Sequence, residues 1–214
     1  MQLIVPSLLS ADFAKLEKEI RAVEAAGAKR LHLDVMDGHF VPNLTFGPFI
    51  VEAIRRLTDL HLETHLMIED AYKYLDNFID AGSDTVLIQL EASEDIPRDL
   101  KYIRSKNTKA GIVINPPTDF AGAEPYMSMI DHLLIMTVNP GFGGQSMIES
   151  SLNKVLLAKK YQTDNDFLIE IDGGVNLKTI DTAAQTGVDL LVAGSAVFKN
   201  DNPGKAFKSL SSHL

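Results

Sequence analysis

Two histidines and two aspartates fall where extended chain would aim them at one place. Side chains of a strand alternate between its two faces. Over 30–36, His32, Asp34 and Met36 therefore share one face, and Leu31, Leu33 and Val35 share the other. Over 62–67, Glu63, His65 and Met67 oppose Leu62, Thr64 and Leu66. Over 168–172, Glu170 and Asp172 oppose Ile169 and Ile171. An ionisable group inside a buried strand is costly unless it is paired or used. A single such residue at a strand end is often structural, bonded to a neighbouring backbone group. Three strands that each bring one to the C-terminal end are harder to read that way. Two imidazoles and two carboxylates together suit zinc, manganese, iron or cobalt better than magnesium or calcium.

Glycines cluster in the last three loops, in Pro140-Gly141-Phe142-Gly143-Gly144-Gln145, in Asp172-Gly173-Gly174 and in Gly194-Ser195. Glycine lets backbone N–H groups approach an anion closely. Each segment alone would pass for an ordinary turn; three in succession favour a phosphate cradle. Other chemistries are poorly served. A Schiff-base lysine belongs near the end of a barrel strand, whereas Lys29 and Lys109 precede strands. Ser195 has no evident base, and no nucleophile elbow of the Gly-x-Ser-x-Gly type occurs. The chain has no cysteine, so thiolate ligands, disulfides and a cysteine nucleophile are excluded.

Something must hold these groups in register. Short apolar runs at 3–7, 30–36, 62–67, 85–90, 110–114, 133–138, 168–172 and 190–193 read as strands. Amphipathic stretches near 12–25, 47–57, 71–81, 95–105, 119–129, 147–161, 177–186 and 203–211 read as helices between them. Strict alternation predicts parallel βα units, and the nearly continuous apolar strands fit a sheet covered on both faces. Gly27, Gly82 and Gly187 recur at the ends of helical stretches, as helix stops do. An open doubly wound sheet is the alternative, but no glycine-rich turn follows the first strand. The expectation is an α/β fold, a (β/α)8 TIM barrel forming one catalytic domain over 1–214, with its site at the C-terminal rim.

Composition narrows the partners. The 214 residues are 45% hydrophobic and 23% charged, with net charge −9. No basic stripe invites nucleic acid. The overall field repels anions, so a phosphate site must be built locally. No apolar run approaches the roughly 20 residues of a membrane span. The first ten residues lack the basic region of a signal peptide. A reducing cytoplasm is the simplest setting for a cysteine-free chain.

The segments Leu9-Ser10-Ala11-Asp12, His32-Leu33-Asp34-Val35-Met36-Asp37-Gly38-His39-Phe40-Val41-Pro42-Asn43, His65-Leu66-Met67, Met136-Thr137-Val138-Asn139-Pro140-Gly141-Phe142-Gly143-Gly144-Gln145 and Ile169-Glu170-Ile171-Asp172-Gly173-Gly174 resemble the ribulose-phosphate 3-epimerase family. The likeness runs over about 3–198, and its two longest segments are highly specific. It implies a barrel of the ribulose-phosphate-binding type that epimerises a sugar phosphate with one divalent metal ion (zinc, iron, manganese or cobalt). It further implies metal ligands at His32, Asp34, His65 and Asp172, and proton transfer by Asp34 and Asp172. Substrate contacts are implied at Ser7, His65, Gly141, Phe142, Gly143, Gly144, Asp172, Gly173, Gly174, Gly194 and Ser195, and a methionine lid at Met36, Met67 and Met136. Family members resemble homo-oligomers, either dimers or hexamers. Two positions depart from the family pattern: Gln89 stands where a histidine is usual, and Glu63 where an aspartate is usual. Gln89 is expected to point inward near the site. That leaves three readings: a five-carbon epimerase acting on D-ribulose 5-phosphate, a relative acting on a six-carbon ketose phosphate such as allulose 6-phosphate, and a silent sugar-phosphate binder.

Overall fold

A computed structural model describes residues 2–214. Eight parallel strands follow one another around a barrel: β1 (Leu3–Pro6), β2 (Arg30–Met36), β3 (His61–Met67), β4 (Thr85–Gln89), β5 (Lys109–Ile114), β6 (His132–Met136), β7 (Leu168–Asp172) and β8 (Leu190–Ala193). From β2 onward each pairs in parallel with the next, and β1 pairs with β8. The seam between β1 and β2 is closed by one parallel bridge, Ser7 to His32. That bridge sets Ser7 beside the strand that carries Asp34.

The helices lie outside: α1 (Leu16–Ala25), α2 (Pro48–Arg55), α3 (Leu75–Asp80), α4 (Ile96–Ser105), α5 (Leu152–Gln162), α6 (Ile180–Ala184), α7 (Ser195–Phe198) and α8 (Pro203–Ser211). Leu31, Leu33, Leu62, Leu66, Ile112, Ile135, Ile169 and Ile171 face this layer and are buried under α-helical residues such as Ile20, Ile54 and Leu100. The opposite strand faces fill the barrel. Leu87, Val113, Leu134 and Met136 form one interior cluster, and Val5, Leu190 and Val192 another. Gly111 belongs to this interior; a Cβ there would stand 2.5 Å from both the His132 carbonyl oxygen and Leu87 Cδ2.

The fifth unit differs from its sequence expectation. Residues 119–129 form two tight 3-10 turns, Phe120–Gly122 and Glu124–Tyr126, rather than an α-helix. Pro125 lacks the N–H that would extend the ladder, and the Asp119 side chain caps Ala121 N–H to close a short turn. The α-helical part of 177–186 shrinks to Ile180–Ala184. The four-residue α7, placed directly after β8, has no counterpart among the expected helices. Among the described residues, no helix is long and apolar enough to cross a membrane.

Candidate active site

Strand register does the first part of the assembly. In the β2–β3 pair, Asp34 lies beside His65 and His32 beside Glu63. Asp172 ends β7 next to Met136 of β6. One ligand atom from each of His32, Asp34, His65 and Asp172 lies within 4.8 Å of the others. His32 Nε2 stands 3.2 Å from Asp34 Oδ1 and 4.0 Å from Asp172 Oδ2. His65 Nδ1 stands 3.3 Å from the same Asp34 Oδ1.

A layer beneath them fixes their orientation. Glu63 Oε1 is 3.0 Å from His32 Nδ1, and Arg30 donates to Glu63 Oε2 at 2.8 Å. Gln89 Nε2 meets His65 Nε2 at 2.8 Å. Ser7 Oγ donates to Asp34 Oδ2 at 2.6 Å. Thr45 Oγ1 donates to the Asp34 carbonyl and accepts from Met36 N–H, pinning the end of β2. Asp37 accepts from the N–H groups of His39, Phe40 and Glu69, which ties the loop after β2 to the loop after β3.

The two aspartates have opposite electrostatics. Burial works to raise the Asp34 carboxyl, but the charge of His32, 3.2 Å away, and the hydrogen bond with His65 overcome it and hold the group well below the usual carboxylate range. Burial, with the negative charge of Asp34 added, pushes Asp172 up to about 7. In the metal-free site near neutral pH, Asp34 is therefore ionised while Asp172 shares its carboxyl between the protonated and ionised forms. Burial lowers His65, favouring its neutral form. Burial opposes the charge on His32, yet Asp34 and Glu63 raise it well above an ordinary imidazole.

The cluster fits a divalent cation. His32 Nε2 is buried with no hydrogen-bond partner among the described residues, and it points toward two carboxylates while Glu63 holds the other ring nitrogen. Metal-bound imidazoles are commonly oriented this way, by an acceptor on the far nitrogen. Two carboxylates also balance a 2+ charge.

Above the cluster opens a pocket of about 230 Å³. Its walls include Ser7, Asp34, Met36, Met67, Met136, Gly141, Phe142, Gly143, Gly144, Asp172, Gly174, Gly194 and Ser195. His32 and His65 lie fully buried below the floor. Gly173 does not line the pocket; its carbonyl accepts from Thr137 Oγ1, and it backs the loop. Gly174 has φ +71°, and a Cβ there would stand 2.4 Å from Met147 N. Sequence reasoning missed Ser10, which lines the pocket with its hydroxyl wedged against Gly143 and Gly194. The signal was its place in the segment Leu9-Ser10-Ala11-Asp12, three residues after Ser7. It also missed Asn43, whose amide donates to the Gly141 carbonyl at 2.7 Å and anchors the loop after β6.

Comparison with known proteins follows the same lines. A family model described as the ribulose-phosphate 3 epimerase family matches residues 3–198. The ribulose-phosphate 3-epimerase of Bacillus subtilis (strain 168) is 47% identical over 210 residues, covering 97% of each chain. The chloroplastic ribulose-5-phosphate-3-epimerase of Arabidopsis thaliana is 44% identical over 97% of this chain and 75% of its own length. Among solved structures, a 3-hexulose-6-phosphate synthase superposes with TM-score 0.75 at 18% identity over 100% of both chains. KGPDC from Streptococcus mutans gives 0.76 at 17% identity over 100% of this chain and 97% of that one. At those identities the structural likeness shows a shared TIM-barrel fold.

Proposed function

This chain belongs to the ribulose-phosphate 3-epimerase family and is an enzyme of that kind, and from that premise we propose that it interconverts D-ribulose 5-phosphate and D-xylulose 5-phosphate by proton transfer at C3. The observation that carries the reading is the aspartate pair: Asp34 at the end of β2 and Asp172 at the end of β7 line one small pocket and cluster with the His32 and His65 imidazoles beneath it. Asp34 takes the C3 proton from one face, and Asp172 returns a proton to the other. Each contribution is worth about 10²–10⁴-fold for acid–base catalysis of this sort. The reverse reaction exchanges the two roles. The Ser7 hydroxyl holds Asp34 Oδ2, leaving Oδ1 on the side of the histidines. His32, Asp34, His65 and Asp172 would hold a zinc, iron, manganese or cobalt ion, which when bound supplies positive charge that stabilises the enediolate. Met36, Met67 and Met136 present apolar, polarisable surface to the reacting carbons and exclude water from them.

The phosphate is assigned to backbone N–H groups of Gly143-Gly144, Gly174 and Gly194-Ser195. Among the described residues no lysine or arginine lines the pocket, so backbone donors and the opening turn of α7 must serve. Gln89 bonds to His65 and does not line the pocket, so its departure from the family pattern gives no ground for preferring a six-carbon substrate. An exposed apolar patch at Phe13, Leu44 and Phe49 supports the homo-oligomeric state that the family resemblance implies.

The test is a substrate panel on metal-stripped and reconstituted protein. Ribulose 5-phosphate should show the highest kcat/KM, abolished by chelation and restored by about one equivalent of cation. Preference for a six-carbon ketose phosphate, or turnover indifferent to chelation, would overturn the assignment.

A further inference from the structure

Gln89 ends β4 with its side chain inside the barrel, almost completely buried. Its amide nitrogen lies 2.8 Å from His65 Nε2, while its amide oxygen is buried with no partner among the described residues. A stranded buried carbonyl is expensive. The group that explains the amide's direction is the imidazole, whose second nitrogen faces Asp34 Oδ1 at 3.3 Å.

A neutral imidazole carries one N–H and one lone pair, so two arrangements exist. With the proton on Nδ1, His65 donates to Asp34, and its Nε2 accepts from the Gln89 amide. The placement of Gln89 Nε2 against His65 Nε2 matches this arrangement, and it strands the Gln89 oxygen. With the proton on Nε2, His65 donates to the Gln89 oxygen after a half-turn of the amide. Nδ1 then offers a lone pair toward His32, Asp34 and Asp172. Only the second arrangement allows His65 to ligate a cation through the nitrogen that faces the cluster.

We infer that Gln89 is a positioning residue whose amide turns over with the His65 tautomer, donating in the metal-free site and accepting when His65 binds metal. The inference rests on the cation site proposed above. It gives a reason for the residue type: glutamine carries a donor and an acceptor on one terminal group, and so serves both states. A hydrophobic side chain serves neither. A glutamate of the same shape serves the metal-bound state.

The experiment uses full-length protein and Zn²⁺ as the probe. Affinity is measured by competition with a chromophoric chelator for the wild type, Gln89→Leu and Gln89→Glu. Long-range ¹H–¹⁵N spectra of His65 are recorded with and without Zn²⁺. Expected are an Nδ1–H tautomer in the metal-free wild type, an Nε2–H tautomer with Zn²⁺, and about 10–100-fold weaker Zn²⁺ binding in Gln89→Leu, the range for loss of such an orienting partner. Gln89→Glu should bind within about tenfold of the wild type, which separates acceptor chemistry from a general packing defect. Wild-type affinity in Gln89→Leu, or one unchanged tautomer in both states of the wild type, overturns the inference and leaves the cation site standing. Absence of stoichiometric Zn²⁺ binding by the wild type overturns both.

Discussion

Replacing Asp172 with asparagine should stabilise the metal-free protein at alkaline pH while destroying its function. Asp172 is drawn up from 3.8 to about 7 by burial and by the neighbouring Asp34 carboxylate. At 1.36 kcal/mol per pH unit, keeping it ionised costs roughly 4 kcal/mol as an upper value. Its side chain remains 17% exposed, and water screens part of the repulsion, so about 1–3 kcal/mol is the expected gain. The sign follows from linkage. Because the folded-state value is raised, the native state binds the proton more tightly than the unfolded chain. Stability of the wild type is therefore lost as pH rises from 3.8 through about 7, and the asparagine variant lacks that dependence. Urea unfolding of chelator-treated protein should show near-equal stabilities at about pH 4 and a more stable variant at about pH 8. Saturating Zn²⁺ should reverse the order, since the variant has lost a ligand. A variant no more stable than the wild type at the alkaline end without metal would refute the reading of Asp172 as a group strained by its surroundings.

Asp34→Asn should lower kcat by at least about 10²-fold with little change in KM, because the lost group acts in the transition state; steady-state kinetics on metal-replete protein checks this. Metal affinity should fall as pH drops, since cation binding must displace the proton that Asp34 and Glu63 hold on His32; chelator competition between about pH 6 and 8 measures the slope. Gly174→Ala should be poorly tolerated, because its Cβ would meet Met147 N at 2.4 Å in a left-handed backbone; thermal unfolding should show a loss of more than about 1 kcal/mol. Gly194→Ala should raise KM for the sugar phosphate more than it lowers kcat, as the added methyl presses on Ser10 Oγ at 2.9 Å beside the assigned phosphate loop; initial rates over a range of substrate concentrations separate the two effects.

Period-two alternation made the barrel and the four-residue cluster legible, because His32, Asp34, His65 and Asp172 lie inside strands whose parity fixes their direction. The glycine loops were legible for a similar reason, since three of them follow consecutive strands. The fifth helix was not: the apolar spacing over 119–129 suits a helix, yet Pro125 and the Asp119 cap favour 3-10 turns. Gly173 reads like Gly174 in sequence but turns its backbone toward Thr137, away from the pocket. The layer beneath the site was out of reach as well. The pairing of His32 with Glu63, and of Glu63 with Arg30, depends on strand register, which alternation alone does not specify.

Proton exchange at C3 is the step on which the proposed reaction stands or falls. Metal-replete protein and D-ribulose 5-phosphate should be mixed in heavy water and followed by ¹H NMR. The substrate C3 proton signal should disappear in step with the appearance of D-xylulose 5-phosphate carrying deuterium at C3. Xylulose 5-phosphate formed with its C3 proton intact, or no conversion at all by the metal-replete protein, would contradict proton transfer by the aspartate pair.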